Sequence, residues 1–327
     1  MSDAPEVPVE DVSTHCGTVA LLGRPNVGKS SLLNAILGQK IAATTHKPQT
    51  TRKQLRGIET RGDTQVIFVD TPGLHAPKKG LHAYMVDQAL EAARDVDVRA
   101  IVVECFVNKD EEGNQQAHID RRDEKAIAQL LEAGIPAKGL VLVVNKIDRL
   151  HDNKLLLPVL QAWSEQAQFE AIIPVSAERK KGLDELMDVL IERMPQGSFW
   201  YDEEALTTAG EREIAGEIIR EKAMLELGDE VPYKLAVVVE DFDEARRDDP
   251  RKPIVDIAAV LHVERESQKG IVVGKKGARI KAIGQRARKD LERILDCKVM
   301  LNLLVRVEPM WTENEKRMRK LGYSDKD

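Results

Sequence analysis

Cysteine is scarce in this sequence: Cys16, Cys105 and Cys297 are odd in number, far apart and form no CxxC pair. That excludes a disulfide framework or a zinc ribbon and fits a reducing compartment. Long apolar runs are missing as well, and nothing approaches the roughly 20 residues that span a bilayer. Aromatic residues make up only 4%, so any base recognition rests on aliphatic grooves and backbone groups more than on ring stacking. There is no excess of basic charge, with 49 Lys and Arg against 55 Asp and Glu and a net charge of −6. A uniformly basic nucleic-acid coat is thereby excluded, while a local basic patch is not. The first stretch, MSDAPEVPVEDVSTH, has neither a basic nor an apolar region. It predicts no signal peptide and a disordered acidic leader over residues 1–15.

What is present is length and periodicity. The 327 residues, 42% hydrophobic and 32% charged, predict a soluble cytoplasmic chain of about two domains. From Gly17 short apolar runs alternate with amphipathic stretches. Thr18–Leu22, Val66–Val69, Ala100–Val103, Leu140–Val144 and Ala171–Val175 read as buried strands, and Asp123–Leu131 and Leu183–Met194 as helices. This alternation predicts an α/β domain with a mostly parallel sheet over residues 16–198. A Pro/Gly/Ser break at Met194–Ser198 ends it. Residues 199–311 follow a different order: a helix (Ala209–Leu227), strands Tyr233–Glu240 and Ile254–Val263, a Gly-rich basic turn, a long helix and an alternating strand, Lys298–Val307. Residues 312–327 read as a charged tail.

Gly23-Arg24-Pro25-Asn26-Val27-Gly28-Lys29-Ser30 fits GxxxxGK[ST] between a strand and a helix that begins at Ser31. Such a loop curls backbone N–H groups round phosphate oxygens, sends Lys29 to the β/γ-phosphates and offers the Ser30 hydroxyl to Mg²⁺. The run Val66–Val69 leads into Asp70-Thr71-Pro72-Gly73. Asp70 is placed to hold a Mg²⁺-bound water, and Gly73, lacking a Cβ, to bring its N–H to the γ-phosphate. Further on, Leu140–Val144 ends in Asn145-Lys146-Ile147-Asp148. The Asp148 carboxylate can accept from guanine N1–H and the exocyclic amine, a donor pair that adenine lacks. Asn145 can bond the base and tether the phosphate loop, and the Lys146 stem can pack on the purine. Ser176-Ala177 can aim a backbone N–H at guanine O6. The nucleotide is therefore GTP or GDP. Asn108-Lys109-Asp110-Glu111 imitates the base motif with its Asp one residue early and reads as surface loop.

GRPNVGKS, QTTR, DTPG, NKID and VSA, in that order, resemble the TRAFAC-class GTPases, and the Pro-Asn pair with Thr-Thr-Arg narrows this to the TrmE–Era–EngA group. The resemblance implies that Thr50-Thr51-Arg52 lies in the first switch, over the γ-phosphate. Thr51 is the preferred Mg²⁺ contact, with Thr50 the alternative. It also implies a potassium ion beside Asn26. Lys29, Thr51 and Gly73 become the candidate catalytic residues, and Ser30, Thr51 and Asp70 the candidate metal ligands. Leu74 stands where many signalling GTPases carry a water-orienting Gln, so slow intrinsic turnover is expected.

In the second part, Val273-Gly274-Lys275-Lys276-Gly277 followed by Arg279 and Ile280 fits the GxxG loop of a KH domain, which clamps single-stranded RNA. Ten Lys and Arg against three Asp and Glu lie between Arg265 and Arg293, a local +7. Ile280, Ile283, Ala287, Leu291 and Ile294 mark one helix face. Ile271, Val272, Val273 and Ile280 are candidates for a base groove and equally for core. The strand–strand–helix–helix–strand order resembles a type II KH fold, and one GTPase domain followed by one such module resembles the Era family. That resemblance implies a GTP-hydrolysing switch in small ribosomal subunit assembly, gripping the 3′ end of small-subunit ribosomal RNA. The partners implied are that RNA and the small subunit, with weak peripheral association at the inner membrane face and a monomeric state. The alternatives are a nucleotide-sensing RNA chaperone with little turnover and a membrane-associated signalling GTPase.

Overall fold

The computed structural model describes residues 13–75, 79–109, 115–136 and 139–323. The first part is built on β1 (His15–Leu22), α1 (Lys29–Ile36), β2 (Leu55–Arg61), β3 (Thr64–Asp70), α2 (Leu81–Arg94) and β4 (Val98–Glu104). A hairpin of β5 (Phe106–Lys109) and β6 (Gln115–His118) follows, then α3 (Arg121–Glu132), β7 (Leu140–Asn145), α4 (Leu156–Gln166), β8 (Ala171–Pro174) and α5 (Leu183–Ile191). The sheet order is β2-β3-β1-β4-β7-β8, with β2 antiparallel to β3 and every other pair parallel. β3, β4 and β7 are buried along their whole length, as continuous Val/Ile/Leu runs require when helices cover both faces of a sheet. The strand order reverses at β1, and the crevice beyond the carboxyl ends of β1, β3 and β4 is where α/β sheets bind ligands.

The second part comprises α6 (Glu211–Glu226), β9 (Ala236–Asp243), β10 (Ile254–Val263), α7 (Glu266–Val273), α8 (Ala278–Ile294) and β11 (Lys298–Val307), followed by α9 (Glu315–Lys320). Its sheet runs β11-β10-β9, with β10 parallel to β11 and antiparallel to β9. Its core gathers Ile218, Ile219, Ile257, Leu261, Ile283, Ala287 and Leu291 from α6, the sheet and α8. Among the described residues no helix is long and apolar enough to cross a membrane.

Several expectations change. β1 begins at His15, and Gly197 N donates to Thr14 O, so order starts inside the segment read as a disordered leader; residues 1–12 lie outside the described ones. The stretch after β4, read as surface loop, contains the β5–β6 hairpin, with Asp110 and Glu111 outside the described residues. Residues past the break at Met194–Ser198 still hold to the first part. Gln65 Nε2 donates to Tyr201 O at 2.9 Å, and Ile58 N to Leu206 O at 2.9 Å. The segment read as a charged tail folds as well: Met318, Leu321 and Tyr323 are buried together with Trp311 and with Leu81 and Met85 of α2.

Candidate functional site

The phosphate loop leaves β1 and enters α1. Gly23 and Gly28 both have positive φ, +133° and +104°. A Cβ on Gly23 would sit 2.2 Å from Val102 O, and one on Gly28 would sit 2.4 Å from Asn145 Nδ2. Only glycine allows the loop to wind this tightly against β4 and β7. Lys29 is buried; its Nζ donates to Gly23 O at 3.0 Å and Arg24 O at 3.1 Å. Desolvation pulls its pKa down to about 8, against the attraction of Asp70. Gly73 presses on Pro25, whose backbone N would lie 2.5 Å from an added Cβ. The loop after β3 therefore closes directly over the phosphate loop.

The three predicted metal ligands meet. Ser30 Oγ donates to Asp70 Oδ2 at 2.6 Å, Thr51 Oγ1 donates to the same oxygen at 3.2 Å, and the two hydroxyls are 2.8 Å apart. Asp70 is fully buried, and its other oxygen, Oδ1, has no hydrogen-bond partner among the described residues. Burial raises its pKa, opposed by the Lys29 charge and the two hydroxyl donations. Thr50 turns away, bonding Thr45 Oγ1 at 2.7 Å and donating to Lys47 O at 2.8 Å. Of the two threonines, Thr51 is the one that lies beside Ser30 and Asp70. Ser31 lines the same narrow phosphate cleft, and so do Gln49, which opens the QTTR motif, and Thr44 and Thr45, which the motifs did not single out. Asn26 has φ +67° and donates from Nδ2 to His46 O at 2.8 Å, tying the phosphate loop to the first switch. Leu74 is buried at 2% exposure.

The base motif assembles at the ends of β7 and β8. Asn145 Nδ2 donates to Val27 O at 2.9 Å, and its Oδ1 accepts from Ala177 N at 3.1 Å. Of the Ser176-Ala177 segment expected to aim a backbone N–H at guanine O6, the Ala177 N–H is held here by Asn145. Lys146 Nζ donates to Asn26 O at 2.6 Å, and Ser176 Oγ donates to the Asp148 carboxylate.

In the second part, Gly274 and Gly277 have φ +72° and +78°, and the lysines between them, Lys275 and Lys276, are exposed. A Cβ on Gly274 would stand 2.7 Å from the Cβ of Arg279, so this turn is specific for glycine. Arg279 is exposed and donates to Ile271 O at 2.8 Å. A cleft of about 340 Å³ lies between α8 and β11, lined by Ile280, Lys281, Gly284, Gln285, Arg288 and the leucines Leu301 and Leu303. Of the four groove candidates only Ile280 lines it; Val272 is core. The signal for the missed residues was present in the helical repeat of α8, where positions 280, 284 and 288 recur every four residues on one face.

The two parts touch through the first switch. Arg52, 1% exposed, donates to Leu235 O at 2.6 Å, Pro232 O at 2.9 Å and Tyr233 O at 3.0 Å. Its guanidinium lies 5.9 Å and 6.0 Å from the ring centroids of Trp311 and Tyr323. Arg220 of α6 donates to Thr50 O, and Thr44 N to Glu221 Oε2 at 2.9 Å. Helix α2 joins in: Leu81 N donates to Thr312 O at 2.8 Å.

Residues 18–146 match the family model described as 50S ribosome-binding GTPase, and residues 230–312 match that of the KH domain. The chain is 44% identical over 326 residues to the GTPase Era of Ectopseudomonas mendocina, covering 99% of this chain and all of that one. It is 45% identical over 318 residues to that of Azotobacter vinelandii, covering 97% and 99%. Its fold is similar to a crystal structure of Era in complex with MgGDPNP and nucleotides 1506–1542 of 16S ribosomal RNA, with TM-score 0.85, 34% identity and coverage of 95% and 99%. It is equally similar to a single-substitution variant of Aquifex aeolicus Era bound to GDP·AlF4⁻, with TM-score 0.85, 34% identity and coverage of 95% and 100%. With the phosphate loop, the guanine motif and the GxxG turn in one chain, and with this identity along its whole length, the chain belongs to the Era family of GTPases.

Proposed function

We propose that this chain is a GTP-hydrolysing switch that grips the single-stranded 3′ end of small-subunit ribosomal RNA and serves small-subunit assembly. The observation that carries the reading is the adjacency of Thr51 and Arg52. Thr51 bonds the residues expected at Mg²⁺, and Arg52 is buried in the RNA-binding part. Whatever orders Thr51 over a γ-phosphate must also set Arg52, so nucleotide state can gate the RNA surface. Ser30, Thr51 and Asp70 would hold Mg²⁺, and the buried Asp70 Oδ1, without a partner among the described residues, fits a bound cation or its water. Two hydroxyls and one carboxylate suit a metal that keeps waters and takes phosphate oxygens as ligands. When bound, Mg²⁺ neutralises charge on the β- and γ-phosphates. Lys29 binds the same phosphates, Gly73 supplies a backbone donor, and Asp148 selects guanine. Asn26 would flank a potassium ion. Gly274, Lys275, Lys276 and Gly277 would clamp phosphates of the RNA, and the cleft beside Ile280 would take the bases.

We read the chain as a cytoplasmic monomer of two units hinged at about 208–210, past the last contacts of the linker with β2. Peripheral membrane association is checked by pelleting with anionic liposomes. A second reading, an RNA chaperone with little turnover, is favoured by one observation: buried Leu74 cannot orient water by hydrogen bonding. Hydrolysis in K⁺ and Na⁺ buffers, with and without a single strand matching that RNA 3′ end, separates the two. The switch reading expects specific stimulation that a scrambled strand does not give and that Gly277→Asp abolishes. Binding without any change in turnover favours the chaperone, and absence of binding removes the RNA reading.

A further inference from the structure

Glu104 ends β4 at the register position facing Asn145 on β7, and it is 9% exposed. Its carboxylate meets three cations. Oε2 lies 3.4 Å from Arg24 Nη2 and 3.2 Å from Lys146 Nζ, and Oε1 pairs with Arg149. Two of these cations belong to opposite halves of the nucleotide site. The backbone carbonyl of Arg24 accepts from Lys29 in the phosphate loop, while Lys146 sits in the base motif and donates to Asn26 O. Behind Arg24, Asp123 of α3 accepts from Nε at 2.6 Å and Asp120 lies 3.4 Å from Nη2. The guanidinium is thus pinned on its far side, and Glu104 is the carboxylate shared between the loops.

We propose that Glu104 is a positioning residue for the guanine nucleotide, holding the phosphate loop and the base loop at the separation that one nucleotide spans. It touches neither phosphate nor base. Its effect is pre-organisation: both loops are set before the ligand arrives, so less binding energy is spent aligning them. Removing its charge leaves the partly buried Arg24 and Lys146 without the anion between them, and the two cations move apart.

The inference rests on the reading of residues 23–30 and 145–148 as a guanine-nucleotide site, so the experiment tests that reading separately. The full chain is titrated with a fluorescent GDP analogue, and GDP, guanosine and pyrophosphate compete for it. Glu104→Gln is expected to weaken GDP at least about fivefold more than either half-ligand, because a half-ligand does not need the two loops aligned. Arg24→Gln, which cuts the phosphate-loop arm together with the pairs to Asp120 and Asp123, should give the same pattern and carries the test if Glu104→Gln does not fold. The double variant should be no worse than the weaker single one. Glu104→Asp should recover part of the loss. A GDP loss that does not exceed both half-ligand losses by that factor overturns the proposal, since a merely structural role would weaken all three ligands alike. Asp148→Asn is the control for the site itself, and its preference should move from guanine towards xanthine nucleotides. If that preference stays with guanine, the site reading fails whatever Glu104 does.

Discussion

Asp120 and Asp123 lie one helical turn apart at the start of α3 and are pushed in opposite directions. Asp120 caps the helix by accepting from Arg122 N at 2.9 Å, and its hydrogen bonds with Arg122 hold its pKa down to about 2. Asp123 faces Arg24 from the phosphate loop and Glu104 from β4. Burial drives its pKa up to about 6, although Arg24 opposes the rise. The folded chain therefore keeps a proton on Asp123 that the unfolded chain releases at about pH 4. Its contribution to unfolding free energy falls as pH rises through about 4 to 6 and is flat above that. Denaturant titrations between pH 4.5 and 7.5 should show the parent losing stability relative to Asp123→Asn across this window (about 4 to 6). Carboxyl NMR should place the Asp123 midpoint near 6, and a midpoint below the usual carboxylate range would contradict the burial argument.

Among the elements, the first switch carries the most consequence for its length. Two adjacent side chains go opposite ways: Thr51 bonds Asp70 while Arg52 enters the second part of the chain. Arg52→Ala leaves three backbone carbonyls without their donor and should weaken docking between the parts by about 2–3 kcal/mol. Faster proteolysis within 198–210 and loss of RNA-dependent stimulation would report this, with GDP affinity changed less than about twofold. Arg52→Lys should recover little, because a point charge cannot reproduce the planar fork.

The same segment marks the limit of what the sequence discloses. Gly23–Ser30, Asp70–Gly73 and Asn145–Asp148 are local patterns whose chemistry depends on a few neighbouring residues, and the structure brings them to one crevice. Arg52 is different: its partners lie about 180 residues away, and no spacing announces them. β2 was missed because LRGIETR is polar and lies at the edge of the sheet, half its residues only partly covered. The β5–β6 hairpin was missed because NKDEEGNQQ resembles a solvated loop. The GxxG turn was legible and its cleft only in part, since β11 contributes Leu301 and Leu303 from across the sheet.

For the whole molecule, charge and the order of the chain set behaviour. The net charge of −6 coexists with a local +7 around the GxxG turn, so RNA should bind one face and be repelled elsewhere. Lys275→Ala with Lys276→Ala should flatten the dependence of log K on log salt by about 1.4, the value for two phosphate contacts on single strands. An unchanged slope would place the phosphate contacts elsewhere. Finally, α2, the helix after Asp70–Gly73, rests Leu81 and Met85 on Trp311, Met318 and Tyr323. During synthesis these partners emerge more than two hundred residues after the helix. Domains fold as they leave the ribosome, N-terminal part first. The GTPase part can therefore take shape while α2 still shows an uncovered apolar side, and that side closes only when Tyr323 arrives. A nascent chain can thus fold its nucleotide site before it can relay that site's state to the RNA surface, and competence as a switch arrives with the residues that follow α9.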